Sequence, residues 1–158
     1  MPGTAAVDTA RAADAALTII RLFRSMERVE AGLTPQQYRM LKLVGAGGER
    51  SAKLAERLAV AKPTLTSTAD GLVAAGLLSR ETETTDRRVV RLRLTEAGRA
   101  AVDRADAVYA DWLGELLRAA GDPDRLLRDF ARIDDAIDQR IAAKRPTTST
   151  KSSAAAVQ

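Results

Sequence analysis

Residues 62–98 read "KPTLTSTADGLVAAGLLSRETETTDRRVVRLRLTEAG". Pro63 suits the first turn of a helix, where its missing N–H is no loss. Leu65, Ala69, Leu72 and Val73 then recur at helical spacing, and Gly76 supplies the stop. "LLSRE" follows as a short strand. A second strand is marked by Val90, Leu92 and Leu94, which alternate with Val89, Arg91 and Arg93. The two strands bracket "TETTDRR" as a hairpin. Thr95 is placed to cap the helix that comes next. Upstream, "AKLAERLA" reads as a short helix capped by Ser51, and "VAK" as the tight turn into Pro63. Two short helices, a tight turn and a hairpin in this order describe a winged helix-turn-helix.

The flanks are helical. From about Asp8 to Glu30, Leu17, Ile20, Phe23 and Met26 recur at three- and four-residue intervals beside Arg21, Arg24 and Arg28. Gly32 ends that segment. "LTPQQYRMLKLVGAGG" then begins with Thr34, Pro35 and Gln37, the three parts of a capped helix start. Its buried stripe is Tyr38, Leu41 and Val44. After Thr95 a long helix reaches Ala119 or Ala120, with Val102, Ala105, Tyr109, Trp112 and Leu116 as its stripe. "GDP" breaks it. Asp122 caps the last helix, Pro123 starts it, and Leu126, Phe130, Ile133, Ile137 and Ile141 line one face. The expected organisation is a flexible arm (1–7), an N-terminal dimerisation helix (8–33), a winged-helix lobe (34–95), C-terminal dimerisation helices (96–143) and a disordered tail (144–158). The fold class is mainly α with a small β-hairpin wing.

The composition agrees with helices and removes most chemistry. The chain has 158 residues and only 3% aromatics, which suits close-packed helices better than a β-sandwich. It has no Cys and no His. Disulfides, thiol nucleophiles and the usual zinc ligands are therefore absent, as is the commonest general base. No glycine-rich phosphate loop is present. The expectation is a non-enzyme without metal or cofactor. No apolar run approaches the ~18 residues of a membrane span, so a cytoplasmic protein with no membrane partner is expected.

The net charge of +4 matters less than its placement. Arg87, Arg91 and Arg93 share parity along a strand and project from one face. Like charges there repel, unless a polyanion such as a DNA backbone arrives. A solvated surface is the plainer alternative for such a run. The candidate recognition helix presents Lys62, Pro63, Thr64, Thr66 and Ser67, with Asp70 further along. Its N-terminal part is the part that meets base edges in the major groove. Hydroxyls bond bases or phosphates, although they can equally serve only to cap or solvate the helix. Lys62 is placed for phosphate. The terminal helices carry more apolar surface than a small lobe can cover, which points to a two-fold homodimer.

Three segments in order, "LTPQQYRML", "KLAERLAVAKPTLTSTADGLVAAGLLSR" and "DRRVVRLRLTEAG", resemble the MarR family of bacterial transcription regulators over roughly residues 10 to 142. The third matches that family's Asp-x-Arg wing followed by Leu-Thr-x-x-Gly. The resemblance implies a homodimer that binds a pseudo-palindromic operator in double-stranded DNA on the bacterial nucleoid, usually as a repressor. It implies wing contacts from Arg87, Arg88 and Arg91, a pairing of Asp70 with Arg88, and a turn braced by Asp86. It also implies release by a small aromatic or phenolic effector, of unknown identity, held by residues such as Phe23, Arg24, Tyr38, Met40, Tyr109 and Trp112. Ordinary packing is the competing reading of those six. One departure stands out: family members often carry an arginine near the positions of Ser67 and Thr68, and this helix has none after Lys62. An architectural DNA-binding protein of low sequence specificity is the alternative function.

Overall fold

A computed structural model of the chain describes residues 8–47, 54, 57–58, 60–82 and 90–143. The elements in order are α1 (Thr9–Met26), α2 (Pro35–Gly45), α3 (Lys62–Ala74), β1 (Leu78–Thr82), β2 (Val90–Leu94), α4 (Glu96–Ala120) and α5 (Pro123–Ala143). Ser51 and much of "AKLAERLA" fall outside the described residues, although Leu54, Arg57 and Leu58 are helical. The hairpin tip, the arm 1–7 and the tail from 144 also fall outside. The chain divides into two compact units, Met1–Leu113 and Gly114–Gln158.

Capping chemistry fixes where the helices start. Thr34 accepts from the Gln37 amide at 3.2 Å and the Gln37 side chain accepts from the Thr34 amide at 3.0 Å, a complete capping box with Pro35 in the first turn. Asp122 accepts from the Arg125 amide at 3.0 Å and so begins α5. Asp8 does the same for α1, accepting from Ala10 at 2.9 Å. α1 ends at Met26, short of the expected Glu30, and Glu27 is its C-cap. The chain then turns through Gly32 at φ +73°, and Ala31 and Leu33 become buried. That burial competes with helix continuation and ends it early.

The core of the first unit comes from its middle segments. Met40, Leu41, Leu54, Leu72 and Leu78 are its largest fully buried side chains. Leu65 and Ala69 join them on the inner face of α3, and Leu92 on the inner face of β2. From α4 come Val102, Ala105 and Tyr109. Tyr109 also donates its hydroxyl to the Leu33 carbonyl at 3.0 Å, pinning the loop that leads into α2. Among the described residues of the second unit Leu117 is buried, whereas the expected stripe residue Leu116 is 41% exposed.

The strands pair antiparallel with Leu78 opposite Leu94 and Glu81 opposite Arg91. Leu-Thr-x-x-Gly closes this hairpin onto α4. Thr95 Oγ1 donates to the Gly76 carbonyl at 2.7 Å and accepts from the Gly98 amide at 2.9 Å. A Cβ on Gly98 would sit 2.1 Å from the Leu77 carbonyl oxygen, so only glycine fits. One hydroxyl thus caps α4 and ties it to the end of the α3 turn.

Candidate nucleic-acid interface

α3 buries Leu65, Ala69 and Leu72 and presents Lys62, Pro63, Thr64, Thr66, Ser67 and Asp70 outward. The hydroxyls are not equivalent. Thr66 donates to the Lys62 carbonyl at 3.0 Å and Thr68 to the Thr64 carbonyl at 2.9 Å. Those protons are committed to the helix backbone, leaving the oxygens as acceptors. The side-chain hydroxyls of Thr64 and Ser67 are exposed and make no hydrogen bond to another described residue. They keep both donor and acceptor capacity for a partner. The N-cap of α3 is Ala61, which has no side chain to cap with, so the first amides of this helix also remain open.

Asp70 pairs with Arg80 of β1, a residue passed over in the sequence reading. Arg87, Arg88 and Asp86 lie outside the described residues, so the expected Asp70–Arg88 pair lies there too. Both Asp70 and Arg80 are about half exposed, and an ion pair of that kind contributes roughly 0–1 kcal/mol to stability. Its more specific effect is orientation, since it ties the outer face of α3 to the base of the hairpin.

On β2, Leu92 is buried while Arg91 and Arg93 occupy the alternate positions. Like charges on one strand face repel, but not all of them wait for a polyanion. Glu81 on β1 accepts from Arg93 Nε at 2.6 Å, so part of the repulsion is relieved inside the hairpin.

The six residues named for an effector pocket stand in different surroundings. Met40 is fully buried in the core, Phe23 is 52% exposed and Arg24 binds Glu27 at 3.2 Å. Trp112 is half-buried. Tyr38 and Tyr109 pair with ring centroids 4.9 Å apart. Their hydroxyls are both engaged, Tyr38 with Asp106 and Tyr109 with Leu33. Asp106 also receives Lys42 Nζ at 2.9 Å, so one carboxylate joins α2 to α4 through two donors. The Tyr38 hydroxyl and the Lys42 ammonium hold the Asp106 carboxyl below the usual carboxylate range, against partial burial. Burial first, then the bond to Asp106, pushes Tyr38 well above its ordinary value. Next to this cluster is an open groove of about 310 Å³, lined by Lys42, Arg99, Asp103 and Asp106 together with Leu41, Leu94 and Val102. None of the six expected residues lines it.

Among the described residues no group of three or more acidic side chains is arranged to hold a metal ion. No described helix is long and apolar enough to cross a membrane.

The sequence profile of the MarR family matches residues 31–89, which begin in the turn before α2 and end just before β2. A transcriptional repressor, CouR, solved bound to a 23-mer DNA duplex, is 32% identical. That match covers 77% of this chain and 89% of that one, with a TM-score of 0.64. The M. tuberculosis regulator MOSR, solved in complex with DNA, is 26% identical over 88% of this chain and 100% of its own, with a TM-score of 0.60. A MepR-like protein complexed with pseudoligands is 25% identical over 87% of this chain and 98% of its own, with a TM-score of 0.61.

Proposed function

The chain belongs to the MarR family of DNA-binding transcriptional regulators, and from that premise we propose that it is a sequence-specific, dimeric repressor that reads a pseudo-palindromic operator. The observation that carries this reading is the outer face of α3. Lys62, Thr64 and Ser67 stand exposed on its first two turns, above an uncapped helix start, and α3 packs on a hairpin whose second strand bears Arg91 and Arg93. Such a face combines phosphate contacts that position the protein with hydroxyls that address base edges. Arg87 and Arg88, just before β2 in the sequence and outside the described residues, are the candidates for contact with phosphates and the minor groove.

The dimer is supported in each unit separately. In the first, Leu17, Ile20 and Phe23 on α1 are between 52% and 60% exposed. In the second, Phe130, Ile133 and Ile137 on α5 are between 42% and 54% exposed. Apolar rows of this kind are covered by a second copy in a two-fold assembly.

A small aromatic anion is the proposed effector, and the groove beside Asp106 suits one. Its floor is apolar, and Lys42 and Arg99 supply cations. An anion drawn to Lys42 competes with Asp106 and loosens α2 from α4. Release then follows only from this difference in affinity between the two states.

A second reading, an architectural protein of low specificity, is favoured by one observation: α3 has no Arg, Asn or Gln, the residues that read bases bidentately. Binding measured across single-base variants of a selected duplex separates the two. Under the regulator reading, Thr64→Ala and Ser67→Ala lose about 1–3 kcal/mol at particular base pairs. A loss spread evenly over every sequence supports the architectural reading and removes the other.

A further inference from the structure

We propose that Arg39, on the outer side of α2, is a positioning residue for DNA reading that acts without touching DNA. Its guanidinium donates through one nitrogen to the Leu58 carbonyl at 2.9 Å and through the other to the Arg57 carbonyl at 2.8 Å. Arg57 and Leu58 are helical, and the helix has ended by Val60. Carbonyls in a last helical turn have no partner within their own helix. A planar guanidinium that bonds two of them fixes both distance and direction, which one ammonium cannot do.

The location gives this fork its consequence. Only Val60 and Ala61 separate the end of the described helix from Lys62, the first residue of α3, apart from position 59. α3 has no side-chain cap of its own, because Ala61 occupies the N-cap. The first turn of α3 is closed by the Leu65 amide, which bonds the Ala61 carbonyl at 3.1 Å. The entry into α3 is therefore held from behind, by Arg39, together with Val60 packed on the core. A change in that entry turns Thr64 and Ser67 relative to the bases they face. Phosphate contacts, made by flexible Lys and Arg side chains, tolerate such a change better.

This inference rests on α3 being the reading helix, so its test has one readout with DNA and one without. The full chain is compared with Arg39→Met and Arg39→Lys. The duplex that the wild-type chain enriches from a randomised pool competes against random duplex at fixed salt. Arg39→Met is expected to lower affinity for the enriched duplex about tenfold, while affinity for random duplex and the salt slope stay unchanged. Arg39→Lys regains part of the loss. In the free protein, hydrogen exchange of the Leu65 amide is expected to quicken in Arg39→Met. An equal loss on both duplexes with a shallower salt slope would make Arg39 a phosphate contact and overturn the proposal. So would unchanged Leu65 exchange. A wild-type chain that enriches no sequence refutes the operator-reading function, and the Leu65 exchange then decides alone whether Arg39 holds the turn.

Discussion

Gly98 and Asp106 show how much of this molecule depends on single contacts. Gly98→Ala drives a Cβ to 2.1 Å from the Leu77 carbonyl oxygen, against backbone that cannot move aside easily. A loss of about 3 kcal/mol is expected, seen as a lower denaturation midpoint with an unchanged slope. Gly71→Ala is the contrast: it lies within α3 with nothing inside 4 Å, so it should stabilise by about 0.5–1 kcal/mol. Asp106 gives the pH dependence. Its depressed carboxyl contributes stability that is present at neutral pH and disappears as pH falls below the usual carboxylate range. The raised hydroxyl of Tyr38 works in the other direction. Its contribution is intact below the ordinary tyrosine value of 10.0 and is lost as pH rises beyond it. Asp106→Asn should therefore flatten the acid limb of a stability–pH curve measured by urea melts. An acid limb unchanged from wild type would remove Asp106 from that role.

Among the elements, those with local signals were readable in the sequence. Thr34-Pro35-Gln37, Asp122-Pro123 and Thr95 each announce a helix start through residues within four positions, and each cap is present. The alternation of Leu92 with Arg91 and Arg93 likewise gave the strand and its buried face. The contacts that join elements were not readable. Tyr38 meets Asp106 across 68 positions and Arg39 meets Leu58 across 19, and no periodicity links such partners. Asp70 also meets Arg80, ten positions away on β1, and Arg80 carries no sequence signal of its own, while the expected Asp70–Arg88 pair lies outside the described residues. The Asp70–Arg80 tie suggests a double-mutant cycle. Coupling in stability should stay below about 1 kcal/mol, because both groups are half exposed. Coupling in affinity for the enriched duplex should be larger, since the pair orients α3 on the hairpin.

For the molecule as a whole, assembly and DNA reading are linked claims. Ile137→Glu on α5 or Phe23→Glu on α1 places a charge within an exposed apolar row. Under the dimer reading each variant sediments as a monomer at micromolar concentration, while the wild type sediments as a dimer. Two joined lobes are what make a pseudo-palindromic site bind tightly, so the same variants should lose most of their affinity for the enriched duplex. The regulator reading itself is tested most directly by competition at physiological salt between that duplex and random DNA of equal length. A preference on the order of 10³-fold or more is predicted. Equal affinity for the two would contradict a sequence-specific regulator, leaving a protein that holds DNA through its charge alone.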